Sequence, residues 1–587
     1  LCRVHLELNE PLIVVAIDFG TTYTSWACSM SHEYQENPTK IHVRQWIGGE
    51  HFSPKAPTTV LIRPDGKTLE AFGYEAQDRY AELADKGEHK LWYCFARFKM
   101  RIFENNELSR QTVIEDITGK PLPAITVFSR AIQFMKEDFL SQFKSKIDGR
   151  MQEHDIRWVL TVPAIWNDAA KQFMRQAAVT AGIRDQYLRI ALEPEAASLL
   201  CSYLPLKKFT KSGSQSTLQT FQKGYKYMIL DAGGGTVDIT VHEVLDTGKM
   251  KELHKASGGA WGGIVVESAF RKFLVKLVGN AVFEKFSRVK TEDMLDLFRT
   301  FEVKKREMQP KKESTITLRI PMSLINIFQD ETGKVLQETI KQTEFAERVK
   351  LINDKIKLDG TVFRDFFSKA VQSITSFIRG LFQNKNLEGV KSIIMVGGFS
   401  ECQLLQESIM SNFPEISTII PQDASLVVLK GAVIYGHNQN MIVERVCRYT
   451  YGIAGAKPFI KGVHKDEYME ECDVGQLCNN IFIKIVEGGK HVKLHERQTE
   501  RLLNLNTDDQ DTYVFPVYVS CSTSPTYVTD VGCSKLGSVI ISGIDTSVPL
   551  KDRKVAVSMI FGGTEIEVEA RDVHTGRKST VILDFLQ

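Results

Sequence analysis

Two aspartates stand where an apolar run ends and a glycine turn begins. Asp18 follows VVAI and precedes FGTTYT, and Asp231 follows YMIL and precedes AGGGTVDIT. Runs rich in Val and Ile without polar alternation predict buried strands. Carboxylates at the ends of such strands are ligands that Mg²⁺ accepts together with water and phosphate oxygens. The repeated pattern therefore predicts one magnesium site built from two similar hairpins.

The glycine turns after the aspartates have the chemistry of a phosphate cradle. Glycine permits positive φ and leaves backbone N–H groups uncovered, and threonine hydroxyls add further donors. One such turn alone can equally be a plain tight turn with an aspartate cap, so the duplication decides for phosphate. The predicted phosphate-binding residues are Gly20, Thr21, Thr22, Tyr23, Gly233, Gly234, Gly235 and Thr236.

Two further glycine pairs are candidates for binding the rest of a nucleotide. Gly262 and Gly263 lie in GGAWGG, and Gly397 and Gly398 lie between the apolar run IIMV and a predicted helix. They permit a close approach of the backbone, although each pair alone also fits an ordinary strand-to-helix turn. Neither G-x-x-x-x-G-K-[ST] nor G-x-G-x-x-G occurs, which excludes the two commonest phosphate loops.

The elements that position these residues change character near residue 440. Before it, apolar strands alternate with helical patterns such as AITVFSRAIQFMKEDFLSQF, which predicts an α/β fold with a duplicated architecture. After it, period-two alternation in VAVSMIF and EIEVEA predicts an antiparallel β-sandwich. Residues 205–224, rich in Lys, Ser, Thr and Gln, are predicted to be an exposed insertion without chemistry.

Composition restricts the class of protein. The 587 residues include 74 basic and 72 acidic side chains, so charge gives no reason to expect nucleic acid or an anionic membrane as partner. No apolar run approaches the roughly eighteen residues that span a bilayer, and residues 1–10 lack the order of a signal peptide. The ten cysteines are scattered, which favours free thiols in the cytoplasm, although Cys472 and Cys478 could pair.

The ordered motifs resemble the actin, hexokinase and heat-shock ATPase superfamily, and within it the 70 kDa heat-shock (Hsp70) chaperones. The stretches that carry the resemblance are AIDFGTTYT, TVPAIWND, ALEPEAAS, LDAGGGTVDIT, FEVKKRE and IMVGGFS. Details of TVPAIWNDAAKQFMRQAA and IIPQDASLVVLKGAV are similar to the divergent heat shock 70 kDa protein 12 branch.

The resemblance implies an actin-like nucleotide-binding domain with two lobes, each built on a ribonuclease-H-like core. This domain is expected over residues 1–440, with lobe I at about 11–205 and again at about 401–440, and lobe II at about 225–400. Residues 441–587 are expected to form the substrate-binding β-sandwich, with no helical lid after it.

The resemblance also implies roles for single residues. The predicted catalytic set is Asp18, Glu193, Asp231 and Asp238. The two strand-end aspartates would hold hydrated Mg²⁺ beside ATP or ADP, and the other two carboxylates would orient the attacking water. Glu302 and Lys305 would reach the adenosine, although their i, i+3 spacing on a helix equally fits a surface salt bridge.

Three departures from the family pattern affect activity. Gln77 stands where the family has its catalytic lysine, so an amide replaces a cation unless Arg79 or Lys99 reaches the site. IVVE at residues 264–267 replaces the acidic and aromatic residues expected there, and HNQNMIVERVCRYTYG replaces the acidic, leucine-rich linker. Slow ATP hydrolysis is therefore predicted, with signalling between domains that differs from that of the family.

Three classes of function remain open from the sequence. The first is an ATP-dependent chaperone whose nucleotide state controls polypeptide binding by the sandwich, with co-chaperones as further partners. The second is an ATP-binding adaptor for client or signalling proteins with little turnover. The third, a small-molecule kinase on the same fold, is disfavoured because a terminal β-sandwich has no role in it.

Overall fold

A computed structural model describes most of the chain. The described residues are 10–48, 51–105, 107–144, 151–204, 207–209, 215–217, 222–246, 248–310, 315–508, 510–562 and 565–586. Within these ranges helices and strands alternate up to about residue 440, and strands predominate after it. None of the helices in these ranges combines the length and the apolar character needed to cross a bilayer.

Lobe I is a mixed sheet covered by helices. Its central strand, Ile13–Phe19, pairs in parallel with Ile156–Val162 and antiparallel with Tyr23–Met30, and it is buried along its whole length because an apolar cluster covers each face of the sheet. The sheet is completed by Leu188–Leu192, His42–Val43 and Ala56–Pro57. The helices of this lobe are Ser31–Glu36, Ala124–Lys144, Asp168–Thr180, Glu193–Tyr203 and Val427–His437.

A smaller unit of lobe I lies between the second strand and the long helix. Its main sheet consists of Leu69–Phe72, Thr59–Ile62 and Tyr93–Ala96. Its hairpins are Trp46–Gly48 with His51–Ser53 and Val113–Glu115 with Pro121–Pro123. Two helices, Tyr74–Asp85 and Lys99–Phe103, carry Gln77 and Lys99 respectively.

Lobe II repeats the plan of a central strand with a parallel and an antiparallel neighbour. Lys226–Ala232 pairs antiparallel with Val237–Val244 and in parallel with Val390–Val396. Among the described residues the sheet order is Gln215–Thr217, Lys207–Phe209, Ser417–Ile419, Val390–Val396, Lys226–Ala232, Val237–Val244, Met250–Gly259, Ile442–Val446 and His491–Lys493. The helices are Ile264–Val278, Asn280–Val289, Thr291–Arg306, Met322–Thr332, Leu336–Ile340, Gly360–Leu381 and Gln403–Asn412, and a small sheet contains Ile316–Arg319, Lys355–Leu358 and Val349–Ile352.

The chain returns to lobe I later than predicted. Helix Gln403–Asn412 buries Leu405 in the core of lobe II, and Ser417–Ile419 pairs with Val390–Val396 of its sheet. Only helix Val427–His437 packs on lobe I, so the predicted return at about residue 401 is too early.

The predicted exposed insertion contains a hairpin. Strands Lys207–Phe209 and Gln215–Thr217 pair with each other, and the first also pairs with Ser417–Ile419 of lobe II. Residues 205–206, 210–214 and 218–221 of this segment lie outside the described residues. The polar composition of the segment therefore concealed two short strands at the edge of a sheet.

Beyond Thr450 the chain forms two antiparallel sheets, here called the C-terminal sheets. One has the order Met469–Cys472, Gly475–Val486, Thr450–Pro458, Thr512–Ser520 and Cys533–Ser542, and the other Arg501–Asn504, Lys554–Gly562, Glu565–Asp572 and Lys578–Ile582. Their apolar faces share one buried cluster. Cys472 lies opposite Gly475 and Cys478 opposite Met469, so the two thiols are on the order of 10 Å apart along the hairpin and do not pair.

The C-terminal sheets are attached to both lobes. Strand Ile442–Val446 pairs in parallel with Met250–Gly259 of lobe II, and His491–Lys493 adds a further strand beyond it. On lobe I, Gln172 Nε2 donates to the carbonyl of Leu583 at 3.2 Å, and its Oε1 accepts from the amide of Phe585 at 2.6 Å. Two strands that follow the predicted boundary at residue 441 therefore extend the sheet of lobe II.

The junction strand carries a buried ionic cluster. Arg445 donates two hydrogen bonds to Glu195, at 2.5 and 2.6 Å. The amide of Val446 donates to Glu252 Oε2 at 2.8 Å. Burial, reinforced by the charge of Glu195, raises the pKa of Glu252 to about 8 despite the amide and Arg445. This carboxyl is therefore largely protonated in the folded protein at pH 7.

Glu252→Gln should stabilise the folded protein increasingly as pH rises from 5 to 8. The ordinary pKa of 4.5 in the unfolded chain lies below the folded value of about 8, so folding takes up a proton between these pH values. Stability that Glu252 contributes below pH 4.5 is lost as pH rises, and the loss levels off above pH 8. Glutamine keeps the acceptor for Val446 but does not ionise. Thermal unfolding should show a difference on the order of 1–3 kcal/mol at pH 8.

Glu243→Gln is the matched control for this prediction. Glu243 lies on the neighbouring strand and pairs with Lys251 at 3.0 Å, with 22% of its side chain exposed. Its substitution removes a partly exposed ion pair and should change the unfolding midpoint by less than Glu252→Gln does at pH 8. A Glu252→Gln effect that is constant from pH 5 to pH 8 would contradict a protonated carboxyl at the junction.

Candidate functional site

The predicted catalytic carboxylates meet between the two lobes. Asp18 and Asp231, near the ends of the two central strands, are 5% and 4% exposed. Glu193 begins a helix of lobe I, and Asp238 lies in the strand after the second glycine turn. The charge of Asp231 interacts with those of the other three, which places all four groups in one buried cluster.

Two lysine ammonium groups enter this carboxylate cluster. Lys99 Nζ lies 2.7 Å from Glu193 Oε1, and only 3% of the lysine side chain is exposed. Lys55 Nζ lies 2.5 Å from Asp18 Oδ2. Sequence reasoning missed Lys55 because nothing in the local sequence SPKAP relates it to the aspartate; the contact depends on how this segment folds beside the first glycine turn.

Gln77, at the position of the family lysine, and the candidate cation Arg79 both lie away from the carboxylates. Gln77 Nε2 donates to Thr59 Oγ1 at 3.3 Å. Arg79 pairs with Glu82 at 3.0 Å, and 47% of its side chain is exposed. Arg79 therefore does not reach the site, and Lys99 is the predicted substitute whose charge the fold brings there.

Burial favours the neutral form of the carboxyls, and Asp18 is the exception. Burial alone would raise its pKa, but the charge and hydrogen bond of Lys55 hold the pKa of Asp18 below its ordinary value. Burial raises the pKa of Glu193 to about 7 even beside Lys99. Burial and then the neighbouring carboxylates raise the pKa of Asp231 well above its ordinary value. The cluster is therefore short of positive charge near Asp231.

Asp231 is the carboxylate with the least compensation. No described residue donates a hydrogen bond to it. Gly397, with a φ of +85°, approaches so closely that a Cβ there would lie 2.4 Å from Asp231 Oδ1. Among the described residues, no three or more His, Cys, Asp or Glu side chains could hold a metal by themselves. The site fits hydrated Mg²⁺, which takes one or two carboxylates and completes its shell with water and phosphate oxygens.

The two phosphate turns face each other directly. A Cβ on Gly234 would lie 2.2 Å from Thr22 Oγ1, and one on Gly235 would lie 2.6 Å from Thr21 Oγ1, so the close approach of the lobes requires glycine. The backbone N–H groups of these four residues have no acceptor in the described part of the chain. Unused amides on opposed turns form an anion site.

The glycine pair Gly262 and Gly263 packs against the second phosphate turn. Gly263 N–H donates to the carbonyl of Gly233 at 3.2 Å, and a Cβ on Gly262 would lie 2.6 Å from that same oxygen. Lys305 Nζ lies 3.5 Å from the carbonyl of Gly263 and 2.5 Å from Glu302. The two predicted adenosine residues thus lie beside this pair, and they also form the i, i+3 ion pair that the sequence allowed.

Contacts between the lobes close the rim of the cleft. The guanidinium of Arg306 lies 5.0 Å from the ring centre of Tyr23. Arg97, in the left-handed region at φ +57°, pairs with Glu267, the last residue of the divergent IVVE stretch. A Cβ on Gly398 would meet no atom within 4 Å, so packing does not require glycine there.

Comparisons with known proteins identify the family of the chain. The family model for Hsp70 protein matches residues 105–504. The chain is 33% identical to heat shock 70 kDa protein 12A of Homo sapiens and 32% identical to that of Mus musculus, in both cases over 99% of this chain and 92% of the relative. It is 31% identical to heat shock 70 kDa protein 12B of Homo sapiens over 98% of this chain and 91% of the relative. The chain therefore belongs to the Hsp70 family, and its predicted similarity to the 12A and 12B branch is confirmed.

Proposed function

We propose that this protein binds Mg–ATP between its lobes, hydrolyses it slowly, and couples its nucleotide state to polypeptide binding by the C-terminal sheets. The observation that carries the proposal is the buried cluster of four carboxylates, three at the duplicated hairpins and one at the start of a helix, in which Asp231 has no described donor. Membership of the Hsp70 family supports ATP as the nucleotide. The nine described cysteines are all free, which supports a cytoplasmic location.

The two strand-end aspartates are suited to hold the metal. Magnesium bound there would neutralise charge on the phosphates of ATP. Asp231 offers a carboxylate without a donor, whereas Asp18 is already held by Lys55 and by Thr161, whose hydroxyl donates to Asp18 Oδ1 at 2.9 Å. The unused amides of the opposed turns are suited to the β- and γ-phosphate oxygens.

Lys99 supports slow turnover rather than none. Its ammonium provides the positive charge that Gln77 cannot, although it comes from a different helix than the family lysine. Such a charge lowers the barrier because it is already in place where negative charge develops. Its partner Glu193, with a pKa of about 7, is suited to accept a proton from water near neutral pH. Because Lys99 is shared with this carboxylate, less of its charge acts on the phosphoryl group.

The segment after strand Ile156–Val162 supports coupling to the C-terminal sheets. Ile165 N–H donates to Asp238 at 2.9 Å, while the Ile165 carbonyl accepts from Arg448 at the start of those sheets. Tyr451 donates to Asp168 at 2.8 Å. Ile165 thus contacts both the carboxylate of Asp238 and the residue that attaches the C-terminal sheets. A shift of Asp238 on nucleotide binding would reach this attachment through one residue. The proposed coupling rests on these contacts, and mutation of the residues that make them tests it.

An ATP-binding adaptor is the second candidate function. It is favoured by Gln77, whose amide is directed to Thr59 instead of to the carboxylates. In that case nucleotide fixes one conformation and turnover is negligible. Steady phosphate release by the purified protein distinguishes the chaperone-like ATPase from the adaptor.

Lys99→Met should slow single-turnover ATP hydrolysis by about 100- to 1000-fold, because it removes one preorganised charge from the transition state. ATP affinity, measured with a fluorescent analogue, should change much less since the metal ligands and turns remain. Arg79→Met and Arg101→Met, at exposed arginines of the same lobe that do not contact the carboxylates, are the controls and should leave the rate unchanged. Equal rates in the wild type and in Lys99→Met would remove the support for Lys99 as the catalytic cation.

Asp18→Asn and Asp231→Asn should both weaken Mg²⁺-dependent ATP binding by about tenfold or more, because each loses one charged ligand. Their effects on the nucleotide-free protein should have opposite signs. Asp231→Asn should raise the thermal midpoint because it removes a buried carboxylate without a donor, whereas Asp18→Asn should lower it because it leaves Lys55 without its partner. Unaltered magnesium dependence in both variants would exclude this metal site.

A further inference from the structure

Lys55 is held beside the first phosphate turn by its own segment. Ser53 Oγ donates to the carbonyl of Lys55 at 2.8 Å. Three residues further along, Thr58 donates through its hydroxyl to the carbonyl of Gly20 at 2.7 Å and through its amide to that of Thr22 at 2.9 Å. The backbone that carries Lys55 is therefore fixed to the turn predicted to bind phosphate. The fold therefore fixes the point from which the Lys55 side chain reaches its ammonium position, unlike that of a lysine on a free surface.

The ammonium of Lys55 forms an ion pair with Asp18, one of the two carboxylates proposed to bind the metal. It lies 2.5 Å from Asp18 Oδ2, and only 16% of the lysine side chain is exposed. The other oxygen of Asp18 accepts from Thr161. Both oxygens are thus engaged, whereas Asp231 has no described donor. A divalent cation that takes Asp18 must displace this ammonium, whose four-carbon stem lets it move while its backbone stays fixed.

We propose that Lys55 is a tethered cation that competes with Mg²⁺ for Asp18 and moves onto the phosphate oxygens of a bound nucleoside di- or triphosphate. The inference rests on the proposed nucleotide site. It explains why a second lysine, which is not among the predicted phosphate-binding residues, is buried there. Its consequence is that the protein retains ATP or ADP when magnesium is removed, because one cation is supplied by the chain itself.

Nucleotide binding with and without magnesium tests the second half of this inference. Fluorescent ATP is titrated into the full-length wild type, Lys55→Met and Lys55→Arg, once with Mg²⁺ and once with EDTA. Lys55→Met should lose at least about tenfold more affinity in EDTA than in Mg²⁺, and Lys55→Arg should recover most of it because the charge is kept. Lys40→Met is the control, since Lys40 forms an exposed ion pair with Glu33 in the same lobe.

Metal binding without nucleotide tests the first half. Mn²⁺ added alone and followed by electron paramagnetic resonance should bind Lys55→Met more tightly than the wild type, because the competing ammonium is gone. A purely structural role for Lys55 would weaken both ligands together. Equal losses in Mg²⁺ and EDTA, or unchanged Mn²⁺ affinity, would overturn the assignment of Lys55 while leaving the nucleotide site intact. Failure of the wild type to bind ATP in either buffer would overturn the nucleotide site itself and this inference with it.

Discussion

The buried contact between carboxylates and lysines at the lobe boundary is the constraint on which the rest of the structure depends. Asp18 and Glu193 each have a lysine within hydrogen-bond distance, and Asp238 has a backbone amide. Asp231 has none of these among the described residues. Buried charge without full compensation is costly, so the stability that holds this cluster together must come from elsewhere. The large apolar cores of the two lobes supply it.

The C-terminal sheets are attached to both lobes by strand pairing and buried polar contacts. Strand Ile442–Val446 fixes them to lobe II through backbone pairing, and Arg445 adds a buried ion pair with Glu195 of lobe I. Gln172 and Tyr451 provide further contacts to lobe I. A change in the angle between the lobes must therefore strain or release one of these attachments. In the proposed coupling, strand pairing and buried polar contacts take the part of the family's acidic, leucine-rich linker.

The features predictable from sequence were those with a local pattern. Asp18 and Asp231 could be placed together because the order of apolar strand, aspartate and glycine turn occurs twice in the sequence. The ends of the two central strands that carry these aspartates meet between the lobes. The role of glycine at positions 234 and 235 follows from the approach of the opposite turn, which the duplication anticipated. The alternation from Val555 to Ala570 likewise identified the buried face of two paired strands in one of the C-terminal sheets.

The features that escaped prediction depend on long-range contacts. Lys55 reaches its carboxylate across segments with no sequence periodicity that relates them, and Lys99 could be named only as one of two candidates because its partner Glu193 lies far away in the sequence. The return to lobe I was set too early because a helix and short strand of lobe II have the same apolar character as those of lobe I. The hairpin at Lys207–Phe209 was missed because an edge strand requires no apolar run when its partner is supplied by a distant segment.

A crystal structure with Mn²⁺ and a non-hydrolysable ATP analogue is the most direct test of a magnesium nucleotide site between the lobes. We predict one anomalous metal peak between the carboxylates of Asp18 and Asp231, with the phosphates against the amides of Thr22 and Gly234 and the ammonium of Lys55 displaced from Asp18. A nucleotide bound elsewhere, or phosphates bound with no metal near either aspartate, would contradict it.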